Sequence, residues 1–382
     1  MRQVPVAILG AAGYGGGELL RLLTTHPGAR VAQVVSRHFA GRPVAAAHRQ
    51  LLGLCDLVFQ GQLDLESLAA EAGDGAGFIF SALPNGESGA ALEKLLLGAS
   101  QTVGAGASLG AAPRPPAGGV AAGAPWGEPG ALGGIRVIDL SADLRIADPG
   151  EHARAHPEIP AFPELRAGAR YGLVELNRGD LEGARLVANP GCFATALELA
   201  LAPLVAAGLR GFVAAGGATG SSGSGALPSD TAHHPGRHSD FRAYKLGGHP
   251  HLAEVRQQFA AAAPDLRVSF VPHSAPLVRG IFVTLHAPRE SFDGPLPDAG
   301  CLPEFYAGEP MIRVREDSPR VQDVAATNFC DLALARRSDH VVVCAALDNL
   351  GKGMAGQAVQ SLNLMCGLPE TTGLRSGSPA PI

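Results

Sequence analysis

The chain is poor in several things, and each shortage argues against a class of function. Only 5% of its 382 residues are aromatic, with a single tryptophan. Charged residues make up 17%, and acidic groups outnumber basic ones by 35 to 30, for a net charge of −5. A nucleic-acid-binding surface needs a basic excess to displace counterions from phosphates, so nucleic acid is not an expected partner. No apolar run reaches the roughly 18 residues that span a bilayer, so no membrane partner is expected. The most apolar helical pattern, Ala194 to Leu209, is short and carries Glu198. The cysteines at 55, 192, 301, 330, 344 and 366 include no Cys-x-x-Cys pair. That pattern argues against a disulfide framework and for a reduced, cytoplasmic setting. The N-terminal apolar run, Val4 to Leu9, leads into a glycine-rich turn rather than a cleavage site. It reads as a first buried strand, not a signal peptide.

What is present is apolar bulk and many turns. Residues of the hydrophobic class make up 46% of the chain, enough for a sizeable core. The length fits two or three domains. In the first half, strand patterns at 4–9, 30–35, 78–83 and 135–140 alternate with helical ones such as 18–25. That alternation predicts an α/β fold with a parallel sheet covered on both faces. From about His156 the character changes. Strand patterns at 209–215, 268–271 and 280–287 lie among long polar loops, as in an α+β domain. A last helix over 353–364 is expected to pack back on the first domain. The expected boundaries are 1–155, 156–345 and 346–382. Within the first unit, 25 of the 36 residues at 99–134 are Gly, Ala or Pro, which reads as a flexible insert.

Four motifs carry chemistry. The first runs through Gly10, Ala11, Ala12, Gly13, Tyr14 and Gly16, directly after the first strand and opening a helix. Glycines there allow a tight turn and a close approach to pyrophosphate, and the helix offers free N–H groups to the anion. The second strand then decides between dinucleotides. It ends in Ser36 and Arg37, with no carboxylate for a ribose hydroxyl. A guanidinium can fork onto a 2′-phosphate, so NADP is the expected cofactor.

The second motif is Asn189-Pro190-Gly191-Cys192, with the cysteine in the first turn of a helix. The helix dipole and free N–H groups there favour the thiolate, which is the nucleophile, and can hold an oxyanion. The third is His249-Pro250-His251, followed by Glu254. A cysteine nucleophile needs a proton carrier, and histidine is the usual one. No third ligand stands at a typical spacing, so no metal is expected. The fourth is a glycine-rich loop, Gly220 to Gly225, that either is a plain flexible loop or brings bare backbone to the reacting centre.

Together these stretches resemble the N-acetyl-gamma-glutamyl-phosphate reductases of arginine biosynthesis. The resemblance extends to Ser36–Pro43, Val137–Asp143, Tyr171–Asn177, Arg279–Ile281 and Asp348–Gly353, in the family's order. It implies a Rossmann NADP-binding domain followed by a catalytic and oligomerisation domain of the semialdehyde dehydrogenase type. It also implies a homotetramer or homodimer acting on a small-molecule acyl phosphate. Cys192 would be the nucleophile and His251, or its neighbour His249, the acid/base. Arg145, Asn189, Tyr244 and Arg279 would face the substrate. Pro84, Ser222, Gly223 and Asn349 would touch the cofactor. The sequence departs from the family at Asn85 (often His), Leu144 (Phe), Pro250 (basic or polar) and Gly351 (Val). The sister aminoadipyl-phosphate reductases of lysine biosynthesis, whose substrate rides on an acidic carrier protein, are nearly as similar. Aspartate-semialdehyde dehydrogenase shares the cysteine chemistry with a different signature. A non-catalytic NADP-binding scaffold is the alternative of another class, and the intact cysteine and histidines argue against it.

Overall fold

A computed structural model describes residues 3–73, 75–97, 134–230 and 233–379. The 99–134 insert, apart from Gly134, lies outside the described residues. The first sheet is fully parallel. It contains β1 (Val4–Leu9), β2 (Ala29–Val35), β3 (Gly77–Ser81), β4 (Ile135–Asp139), β5 (Arg170–Tyr171) and β6 (Leu186–Ala188). Their order is β2-β1-β3-β4-β6-β5. Its helices are α1 (Tyr14–Leu23), α2 (Leu65–Ala72), α3 (Glu87–Leu96), α4 (Pro149–Ala155), α5 (Pro163–Gly168) and α6 (Val174–Leu181). Strand β1 is buried along almost its whole length because both faces are covered. Val6 and Ile8 point to one core with Leu19, Leu20 and Leu23 of α1, and Ala7 and Leu9 to another. Asp64 caps α2 and Asp148 caps α4, each accepting a first-turn N–H. The chain leaves β1 toward β2 on one side and returns as β3 on the other. Such a switch point opens a crevice beyond the strands' carboxyl ends.

The second sheet is mixed. It holds β7 (Phe212–Thr219), β8 (Arg242–Ala243), β9 (Arg267–Ser274), β10 (Ile281–Pro288), β11 (Ile312–Val314), β12 (Cys330–Arg336) and β13 (His340–Leu347). The order is β11-β12-β13-β10-β7-β9-β8. The helices are α7 (Cys192–Ala206), α8 (His234–Arg237), α9 (His251–Phe259), α10 (Cys301–Phe305), α11 (Val321–Val324) and α12 (Gly356–Met365). Alternation along the strands separates two faces. Val213, Val283, Leu285 and Val343 join Leu197, Leu201 and Leu204 of α7 in one core. Ala214, Phe282, Thr284, Val342 and Cys344, on the opposite face, stay half-exposed. No helix of the described residues is long and apolar enough to cross a membrane.

The sequence sets a boundary near 155, but the parallel sheet continues to Ala188 through β5 and β6. These strands have two and three residues, too few to show a period. Helix α12 does return to the first unit. Ala358, Val359 and Leu362 pack with Val6, Ile8 and Leu19. A π-helical turn, Gly351–Ala355, leads into it and carries the fully buried Lys352. The Lys352 ammonium is held by Glu175 of α6, Gln357 and Gln360.

Candidate active site

Cys192 is the first residue of α7, with Gly191 as an extended N-cap that supplies no side chain. First-turn N–H groups have no partner within a helix, so they face whatever stands before the helix. The loop before it is held from the first unit. Arg145 donates from Nε to the Asn189 carbonyl at 2.8 Å and from its Nη2 to the Leu140 carbonyl at 2.7 Å. The turn before α12 closes the other side. A Cβ on Gly353 would lie 2.7 Å from Cys192 Cβ, so only glycine fits there.

The second histidine of the His-Pro-His motif opens α9, which packs on α7. A Cβ on Gly191 would fall 2.4 Å from His251 Nε2, so the imidazole lies directly on the N-cap backbone. His249 stands edge-on to His251 with ring centroids 4.4 Å apart, and its Nδ1 accepts the His251 N–H. Burial, then the charges of His251 and Lys245, lowers the His249 ring to about 2. Burial, then Arg145, holds His251 well below the ordinary histidine range. Both rings are neutral at pH 7, and neutral imidazole can accept a proton.

Glu254, one turn along α9 and fully buried, ties these parts together. Its Oε2 accepts the Gly191 N–H at 2.8 Å and the Tyr171 hydroxyl at 2.8 Å. Its Oε1 stands 3.5 Å from an Arg145 nitrogen and 3.9 Å from His251 Nε2.

The thiol does not behave as its place on the helix predicts. Burial pushes Cys192 up to about 11, and Arg145 and the N–H groups of Phe193 and Cys192 oppose this without overcoming it. Burial thus works against the thiolate that the helix start favours. Helix-terminus stabilisation is modest, whereas desolvation of a charge is costly.

Cys192 opens into a cavity of about 500 Å³ between the two units. Asn85, Ala142 and Arg145 line it from the first unit, with His156 and Glu158 following in the chain. The second unit contributes Tyr244, His249, His251, Arg237, Arg242 and Lys245. Burial, then the adjacent Cys192, raises the Tyr244 phenol to about 12. Gly223 also lines the cavity. Sequence reasoning gives His156 no site role, because its loop carries no motif, whereas the basic Arg237, Arg242 and Lys245 are candidates for a positive rim at the pocket, and they do line the cavity.

Other expected residues fall elsewhere. Arg279 is absent from the cavity wall. Its donors are taken by Glu18 of α1 and by Asp348, at 2.8–3.1 Å. It clamps the second unit to the first rather than facing a substrate. The Asn189 side chain donates to the Met354 carbonyl. Asn349 donates to the Ser222 hydroxyl at 2.9 Å and accepts the Gly280 N–H at 2.7 Å, so Ser222 and Asn349 do meet.

The residues expected to hold the dinucleotide lie around the switch point. Gly10 has φ +71°, and a Cβ there would lie 2.5 Å from the Ala82 carbonyl oxygen, two residues before Pro84. Helix α1 begins after Gly13 with no side-chain cap, leaving its first N–H groups to an anion. Ser36 and Arg37 follow β2, and Arg37 is exposed, with no ion pair among the described residues. This donor set fits a phosphorylated dinucleotide: free amides for the pyrophosphate and an unengaged guanidinium for a 2′-phosphate.

Comparison with known proteins agrees. Residues 5–106 match the semialdehyde dehydrogenase NAD binding domain, and 192–349 match the dimerisation domain of the same group. N-acetyl-gamma-glutamyl-phosphate reductase of Methanothrix thermoacetophila is 36% identical over 99% of this chain and 100% of that protein. The reductase of Alkalilimnicola ehrlichii is 38% identical over the same shares. A Sulfurisphaera tokodaii protein, the [LysW]-L-2-aminoadipate/[LysW]-L-glutamate phosphate reductase, is 35% identical over 98% of each chain. Among solved structures, aspartate semialdehyde dehydrogenase II of Vibrio cholerae, complexed with ASA, superposes with a TM-score of 0.62 at 14% identity. It covers 96% of this chain and 98% of its own. The Candida albicans aspartate semialdehyde dehydrogenase with NADP gives 0.61 at 15% identity, covering 95% and 98%. At such identities the likeness establishes the fold alone. The relatives that share over a third of their residues along nearly the whole chain go further, and the chain belongs to the N-acetyl-gamma-glutamyl-phosphate reductase family, built on the semialdehyde dehydrogenase fold.

Proposed function

We propose that this chain reduces N-acetyl-gamma-glutamyl phosphate to N-acetyl-glutamate semialdehyde and phosphate, using NADPH and a thioester on Cys192. The observation that carries the reading is the placement of Cys192 in a cavity between the two units, with a neutral His251 on the preceding glycine. The thiol is protonated at rest, so attack needs a base. His251 Nε2 takes the thiol proton as Sγ attacks the acyl carbonyl, and phosphate leaves as the thioester forms. When bound, the nicotinamide cofactor supplies the hydride that the thioester carbonyl accepts. N–H groups of the first turn of α7 and the protonated His251 stabilise the oxyanion on the substrate carbon. Its collapse releases the semialdehyde and returns a thiolate, which recovers its proton from His251. Arg237, Arg242 and Lys245 give the cavity the positive charge that a phosphate and a carboxylate require. The half-exposed face of the second sheet, within the region that matches a dimerisation domain, is the surface on which two copies pair. The free thiols suit a reducing cytoplasm.

A second reading rests on the Sulfurisphaera relative and on the exposure of Arg242 and Lys245 at the cavity, where an acidic carrier protein can dock. Assaying NADPH oxidation with acetylglutamyl phosphate and with the carrier-linked aminoadipyl phosphate separates the two. Turnover of the free acyl phosphate is expected. Turnover of the carried substrate alone favours the second reading. Cys192→Ser should lose nearly all turnover and keep NADPH binding. A serine enzyme near the wild-type rate rules out the covalent route.

A further inference from the structure

Beneath Cys192 lies a row of buried groups that the mechanism above does not use. Glu198 on α7 and Glu254 on α9 are both fully buried. Tyr171 of β5 stands between them, its Oη 3.1 Å from Glu198 Oε1 and 2.8 Å from Glu254 Oε2. Glu254 in turn reaches the Gly191 N–H, Arg145 and His251. The row therefore starts at Glu198 and ends at the reacting centre.

A phenol has one proton and can donate to only one of two carboxyls. The shorter contact, and the Arg145 guanidinium beside Glu254, direct that proton to Glu254. The Glu198 contact is then attractive only when Glu198 carries a proton and donates it to Tyr171. Two further facts agree. Burial, then the Glu254 charge, pushes Glu198 well above the carboxylate range. Its Oε2 has no hydrogen-bond partner among the described residues, which is tolerable for a carbonyl oxygen but costly for an anionic one.

We propose that Glu198 is a positioning residue for the reaction: by donating to Tyr171 it aims the phenol proton at Glu254, and so holds Glu254 against the Gly191 N–H and beside His251. The inference rests on the thioester reading of Cys192 and His251. Glu198 is not part of the cavity wall, so its effect should fall on the chemical step and not on substrate binding.

The test compares Glu198→Gln, Glu198→Leu and Tyr171→Phe on whichever acyl phosphate the wild-type enzyme turns over. Glutamine presents an N–H where the acid presents its O–H, and leucine fills similar space without a donor. Glu198→Gln should stay within about threefold of wild-type kcat. Glu198→Leu and Tyr171→Phe should each lower kcat about tenfold or more with KM for both substrates unchanged, and the double variant should be no worse than either alone, because one hydrogen-bonded line is cut. Wild-type kcat in Glu198→Leu overturns the proposal. So does a glutamine variant as impaired as the leucine one while both bind NADPH normally. If Glu198→Leu does not fold, Tyr171→Phe decides, and wild-type kcat there overturns it equally. Cys192→Ser, assayed alongside, reports on the thioester reading separately: turnover in that variant sinks the reading whatever the Glu198 series gives.

Discussion

At the scale of single residues, burial and the helix terminus pull the Cys192 thiol in opposite directions, with burial the larger influence. Only the thiolate reacts with alkylating agents. With the thiol near 11, the ionised fraction at pH 7 is small and grows about tenfold per pH unit below that value. Inactivation of the substrate-free enzyme by iodoacetamide should therefore be slow at pH 7 and still climbing at about pH 10. A rate that levels off near neutrality would show a thiolate at rest. Cys192 and the histidines were legible because their motifs are short and local. The role of Arg279 was not: its partners Glu18 and Asp348 lie 261 and 69 residues away, and no local pattern encodes such pairs. The same holds for the line from Glu198 through Tyr171 to Glu254, whose members come from three elements.

At the scale of elements, the strand–turn–helix at the N-terminus needed only a glycine pattern beside an apolar run, which is why it could be read directly. Strand β5 could not, since two residues make no period. Its position matters nonetheless, because it carries Tyr171 to the second unit. The residues after β2 are the candidates for setting cofactor choice. Arg37 is exposed and unpaired with any acid among the described residues, and a bidentate charge-assisted contact to a 2′-phosphate is among the stronger single hydrogen-bonded contacts. Arg37→Ala should raise KM for NADPH about tenfold or more and leave KM for NADH unchanged, in steady-state assays with each cofactor. Equal effects on both would remove Arg37 from the discrimination.

At the scale of the whole molecule, two sheets meet around one cavity, and the clamp of Glu18, Arg279 and Asp348 holds them together. Burial would raise Glu18, but bonds from Arg279 and Arg21 bring it below its ordinary range, so the clamp is ionised at pH 7. The second sheet buries one face in its own core and leaves Ala214, Phe282, Val342 and Cys344 half-exposed on the other. This is the face proposed above as the pairing surface. Val342→Asp, which puts a charge in its middle, should shift the protein toward monomer in sedimentation velocity while NADPH binding persists. An unchanged oligomer would place the interface elsewhere.

The sequence by itself determined the elements whose signals are contiguous: the dinucleotide turn, the cysteine at a helix start, the paired histidines and the alternation of strands and helices. Short-range periodicity and turn chemistry suffice for those. Only the tertiary structure decided which charges face the cavity, which arginine is a clamp, and how strongly burial opposes the helix terminus at the thiol. Those depend on desolvation and on partners far apart in the chain, and neither exists until the two units close on each other.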